Sequence, residues 1–198
     1  AHEPAEGAVV SGGGVLRYTR RGLTAHRQRV QLVMQDPDDQ LFSADVRSDI
    51  AYGPTNLGLP AEEIADRVDE ALAVLSLEAI ADRPVHRLSF GQRKRVAVAG
   101  ALAMHPRVLL LDEPTAGLDP AGVEEMLAAV AALEAHGTTV VLSTHDVDLA
   151  WSWADEVALV VDHVVHQGEV TDALTDGALV EAARLRPPWS VQLLREMG

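Results

Sequence analysis

The chain has 198 residues, 47% of them hydrophobic, no cysteine, and a formal net charge of −14. That length suits one domain with a small subdomain, and the apolar content suffices for a core, which excludes wholesale disorder. The lack of cysteine excludes disulfides and thiolate metal sites, and the acidity excludes a nucleic-acid partner, whose phosphates need a basic face.

No apolar run approaches the ~18 residues that a membrane span requires. The opening "AHEPAEGAVVSGGG" has neither the basic nor the apolar region of a signal peptide. A cytoplasmic protein is expected, touching a membrane only through a partner. The chain opens on Ala1 rather than Met, so its start is not taken as the native one.

"RVQLVMQ" (29–35) reads as a short strand, and "DPDDQLFS" (36–43) as a polar turn that offers Leu41 and Phe42 to a partner or pocket. Residues 45–87 read as mostly helical. In "AEEIADRVDEALAVL", Ile64, Val68, Leu72 and Leu75 share one helical face, with Pro60 just ahead where a helix can start. Ser89 and Gly91 then stand at the start of a helix running through Met104.

Strands and helices alternate from there. "RVLLLD" (107–112) is a strand, and Asp119 and Pro120 supply the N-cap and first position of the next helix. Val123, Leu127, Val130 and Leu133 form its expected buried stripe, and Gly137 closes it. "TTVVLST" (138–144) is a second strand, Asp146 can cap a further helix, and "EVALVV" (156–161) is a third strand. Unbroken apolar strands alternating with helices predict a parallel sheet covered on both faces. The tail "ARLRPPWSVQLLREMG" reads as a helical appendage hinged at Pro187 and Pro188. "HVVH" (163–166) reads as incidental, since residues three apart on a strand face opposite ways.

In such a sheet, ligands bind beyond the carboxyl ends of the strands. Asp112 and Glu113 end one strand, and Thr144 and His145 end another, so two carboxylates and an imidazole are expected on one edge. That set suits Asp112 holding Mg²⁺, Glu113 polarising a water, and His145 contacting a phosphoryl oxygen. "LSFGQRKRVAVAG" (88–100) adds a helix start whose free amides and dipole favour an anion. Arg93, Lys94 and Arg95 in its first turn oppose that dipole, a conflict that a bound anion would remove.

"LSFGQ" resembles the signature motif of ATP-binding-cassette (ABC) ATPases, and "VLLLDEP" resembles their Walker B strand. "AGLD" (116–119) is similar to the D-loop, "STHD" (143–146) to the switch loop, and Gln35 to the Q-loop glutamine. "QDPDDQLFSADVRSDIAYGPTNLGLP" (35–60) and "GQRKRVAVAGALAMHPRVLLLDEPTAGLDPAG" (91–122) are similar to the ATPase subunits of energy-coupling-factor importers, which take up cobalt, nickel or vitamins. The resemblance implies an α/β fold with a P-loop NTPase-like parallel sheet and a small helical subdomain, N-terminally truncated. It implies ATP and Mg²⁺ as cofactors, with Glu113 and His145 catalytic, and Asp112 and Gln35 holding the metal through water. Gln35, Ser89, Phe90, Gly91, Gln92 and Asp119 are the implied nucleotide-binding residues. The implied partners are a second ATPase subunit, in a homo- or heterodimer, and a membrane-embedded transporter subunit, at the cytoplasmic face of the membrane. In that family two subunits pair head to tail, so that the signature serine of one faces ATP on the P-loop of the other.

The family's phosphate cradle, G-x-x-x-x-G-K-[ST], does not occur in this sequence, whose only lysine is Lys94. "SGGGVLRY" (11–18) lacks the Gly-Lys pair, and the first residues resemble the stretch after the P-loop helix. The expected organisation is therefore a remnant of the N-terminal subdomain (1–35), a helical subdomain with the Q-loop (36–88), the ATPase core (89–165) and a C-terminal helical tail (166–198). Without the cradle the chain is expected to be inactive alone. The alternative is a non-catalytic partner subunit that lends its signature motif to another ATPase. A chromosome-maintenance ATPase is excluded by the short helical insertion, the absence of coiled-coil heptads and the acidic charge.

Overall fold

The computed structural model describes residues 3–197, and the chain divides into two compact units between Ser143 and Thr144. In the first, β1 (Val10–Ser11) and β2 (Gly14–Val15) pair as a short antiparallel hairpin. α1 (Arg20–Arg29) starts where Thr19 Oγ1 accepts the Gly22 amide at 3.2 Å. It buries no residue, so no apolar periodicity predicts it. The chain passes directly into β3 (Val30–Val33).

Next come α2 (Val46–Asn56) and α3 (Ala61–Val74). Asp45 caps α2 by accepting the Ser48 amide at 2.9 Å. Pro60 stands at the N-cap of α3, where no backbone donor is needed. The expected face of α3 holds: Val68, Leu72 and Leu75 are buried and Ile64 is half-buried. Both helices pack on α4 (Phe90–Leu102). Val96, Ala97, Val98, Ala99, Ala101 and Leu102 of α4 are all buried, as fits a helical stretch apolar on every side and enclosed by its neighbours.

β4 (Val108–Asp112), α5 (Pro120–Ala135) and β5 (Thr139–Ser143) complete the unit. β3, β4 and β5 form a three-stranded sheet in that order, parallel at both ladders. The register pairs Val33 with Leu111 and Asp112 with Ser143, so the strands end together at their carboxyl edge. Asp119 caps α5 by accepting the Gly122 amide at 2.7 Å. The buried stripe of α5 is rotated from the expected one. Val130 and Leu133 are buried together with Met126 and Ala129, while Val123 and Leu127 are only half-buried. Most of this helix is apolar, so periodicity alone does not fix which face turns inward.

The second unit opens with α6 (Val147–Trp153), capped by Asp146 on the Leu149 amide at 3.0 Å. β6 (Glu156–Val161), expected as a third parallel strand, instead pairs antiparallel with β7 (Val164–Glu169). The reason is local: Asp162 and His163 have φ of 47° and 67°. Two successive positive φ values make the tight hairpin turn whose twist matches antiparallel strands. α7 (Val170–Thr175), α8 (Gly177–Ala182) and α9 (Trp189–Met197) follow. Leu159, Leu174 and Val180 form this unit's core, and Asp148 Oδ1 accepts the Trp189 amide at 2.7 Å to start α9. No helix among the described residues is long and apolar enough to cross a membrane.

Candidate functional site

The carboxyl ends of β3 and β4 carry the candidate chemistry. Asp112 ends β4 and is exposed, while Glu113 is half-buried. The Ser143 hydroxyl, across the β4–β5 ladder, donates to Asp112 Oδ1 at 2.5 Å. The Glu113 amide in turn donates to the Ser143 carbonyl at 3.1 Å and to its Oγ at 3.2 Å. Glu113 has φ of 45°. Holding a non-glycine residue in that left-handed region costs roughly 1–2 kcal/mol and persists only where its surroundings enforce it.

Lys94 reaches the same turn. Its Nζ donates to the carbonyls of Glu113 (2.8 Å), Pro114 (3.2 Å) and Ala116 (2.8 Å). An ammonium has three donors, so these acceptors saturate it. The side chain is 3% exposed. Burial lowers its pKa, while the Glu113, Asp36 and Asp112 carboxylates pull it back up. The three cations whose conflict with the α4 dipole a bound anion would remove thus have partners within the protein. Arg93 Nε lies 2.8 Å from Asp38 in the turn after Gln35, and Arg95 lies 3.1 Å from Glu125 of α5. Each cation has its own partner, contributed by a segment distant in sequence.

Ser89 is the N-cap of α4 and forms a capping box with Gln92. Its Oγ accepts the Gln92 amide at 3.2 Å, and the Gln92 side-chain oxygen accepts the Ser89 amide at 3.0 Å. The first amides of the helix proper, on Phe90 and Gly91, find no acceptor within the helix, and an N-cap hydroxyl that is accepting can still donate. Phe90 packs on the turn that follows β4. A Cβ built on Gly117, whose φ is 76°, would lie 3.1 Å from the Phe90 ring. The start of α4 and the Ala116–Asp119 segment are thus in direct contact, with Asp119 engaged as the cap of α5.

Gln35 is exposed just beyond β3. The segment after it is fixed by side chains that sequence reasoning missed. Gln40 accepts the Met34 amide at 2.6 Å and donates to the Leu32 carbonyl at 3.3 Å. Asp49 accepts the amides of Phe42 (3.0 Å) and Ser43 (2.8 Å). Phe42 is 64% exposed and meets the Tyr52 ring edge-on at 4.4 Å. Both line a groove of about 520 Å³ together with Leu41, Ala97 and Met104.

The structure thus brings Asp112, Glu113, Ser89, Phe90, Gly91, Gln92 and Asp119 into one connected framework through Ser143, Lys94 and Gly117. His145 belongs to the second unit, where it is exposed one residue before the Asp146 cap. No group of three or more His, Asp or Glu side chains among the described residues could cage a metal by itself. A carboxylate braced by a hydroxyl suits Mg²⁺, which keeps several waters and takes phosphate oxygens as its other ligands.

The sequence matches the ABC transporter family model over residues 1–116. It is 51% identical to the cobalt import ATP-binding protein CbiO of Rhodobacter capsulatus, over 96% of this chain and 68% of that protein. It is 42% identical to the energy-coupling factor transporter ATP-binding protein EcfA of Methanosphaera stadtmanae, over 98% of this chain and 70% of that protein. The fold is similar to that of CbiO1 from Clostridium perfringens, part of the ABC transporter complex CbiONQ. That similarity has a TM-score of 0.82 at 39% identity and covers 98% of this chain and 78% of that one.

Proposed function

This chain belongs to the ABC transporter family of ATP-binding proteins, and from that premise we propose that it acts as the ATPase subunit of an energy-coupling-factor importer. Its cargo is cobalt or a related metal ion or vitamin, a reading supported for cobalt by the name of the Rhodobacter relative. Asp112 holds Mg²⁺ through water, and Glu113 accepts the proton of the attacking water. Gln35 and His145 sense the phosphate and the metal. Ser89, Phe90, Gly91 and Gln92 complete the ATP site of a second ATPase subunit, and Asp119 lies beside that contact. The groove around Leu41, Phe42 and Tyr52 receives a membrane-embedded subunit, which places the protein at the cytoplasmic face of the membrane.

The observation that carries this reading is the fixation of Glu113. A carboxylate that must accept a proton at one point in space needs a fixed backbone, and here that backbone is bonded on both sides. A second reading has support from α4: its start, with Ser89 exposed and the Phe90 and Gly91 amides without acceptors in the helix, can serve another chain's ATP even if this chain hydrolyses none itself.

Turnover of Glu113→Gln, measured in a subunit that includes a P-loop, tests the first reading. The amide keeps the shape but cannot accept a proton, so turnover should fall by about 10²–10⁴-fold while ATP binding persists. Hydrolysis at the parental rate would remove Glu113 from the role of base.

A further inference from the structure

Lys94 has no part in the chemistry proposed above, yet it is buried, charged and aimed at the turn that carries Glu113. Its stem leaves α4 little more than one turn after the Ser89 cap. Its head reaches the carbonyls of Glu113, Pro114 and Ala116. Those oxygens belong to the one segment where a non-glycine residue of this unit's sheet edge is held at φ of 45°. The opposite side of Glu113 is held by Ser143, so the residue is pinned between α4 and β5.

We infer that Lys94 is a positioning residue that fixes the backbone of Glu113–Ala116 and, through it, the direction of the Glu113 carboxylate. The task of that carboxylate rests on the function proposed above; the clamp itself does not. The same helix presents Ser89 at its end, and the Phe90 ring packs on Gly117. The helix start and the turn of this chain's own Glu113 are therefore in direct contact. Arg93 and Arg95 cannot substitute, because each is engaged elsewhere.

The test is a mutant cycle in the assembled, ATP-hydrolysing transporter, with the subunit carrying its P-loop as for Glu113→Gln above. Lys94→Met should lower kcat by about 10²-fold, the scale of a misplacement near 1 Å, with the KM for MgATP within about twofold of the parent. In a Glu113→Gln background the same substitution should change the residual rate by less than about twofold, since a residue acting only through Glu113 has nothing left to position. Amide hydrogen exchange over residues 113–118 should quicken while β4 stays protected. If Lys94→Met does not fold, Lys94→Arg, which keeps charge and donors but changes their geometry, is put through the same cycle. An unchanged kcat, or an equal fall in both backgrounds, overturns the proposal. Should Glu113→Gln itself hydrolyse ATP at the parental rate, the reading of Glu113 fails. The clamp is then decided by exchange alone: faster exchange over 113–118 upholds it, and unchanged exchange rejects it.

Discussion

Burial and charge compete at Lys94, and the competition has a measurable sign. Its pKa lies below the ordinary 10.5 because burial outweighs the attraction of Glu113, Asp36 and Asp112. In the unfolded chain the amine keeps its proton to higher pH. Between the two pKa values the unfolded state binds more protons, so this group's contribution to stability rises with pH and levels off above 10.5. Urea midpoints followed through the alkaline range should show that slope in the parent and lack it in Lys94→Met. The position of Lys94 in the first turns of α4 was legible in the sequence, but its destination was not. Composition gives three consecutive cations, whereas their acceptors lie on the Glu113 turn, on Asp38 and on Glu125. The caps at Ser89 and Asp119 were legible because the bonds they make span only three residues.

Elements were readable where a single strong period or cap defined them. α3 shows its face because charged residues separate its apolar ones, and its docking on α2 and α4 follows. Leu72 is 1% exposed, so Leu72→Ala should cost about 2–5 kcal/mol, the range for cavities at such sites, seen as a lower urea midpoint. α5 and β6 were harder to read. α5 is apolar over much of its surface, which left its inward face undetermined. β6 is an apolar run that fits a buried parallel strand as well as one arm of a hairpin. The decision for β6 rests on two backbone torsions at Asp162 and His163, where neither residue is the glycine that normally announces such a turn. α1 escaped notice for the opposite reason, since it buries nothing.

At the scale of the molecule, the site residues on β4, α4 and the start of α5 can address a phosphate, but the sequence has no G-x-x-x-x-G-K-[ST] to wrap one. Its sole lysine is committed to three carbonyls. Each missing charge-assisted bond to phosphate is worth roughly 1.5–3 kcal/mol. Calorimetry on the isolated chain should therefore find MgATP binding much weaker than micromolar, and a P-loop-bearing partner should restore it. The burial of that lysine has one more consequence. Lys94 is the only lysine in this sequence, and folding shields it. Within this stretch of chain an amine-acylating reagent therefore finds its one lysine side chain buried. Any acylation at Lys94 counts openings of the α4–Glu113 contact, so the molecule carries a built-in clock for local unfolding, legible by mass spectrometry without a probe being installed.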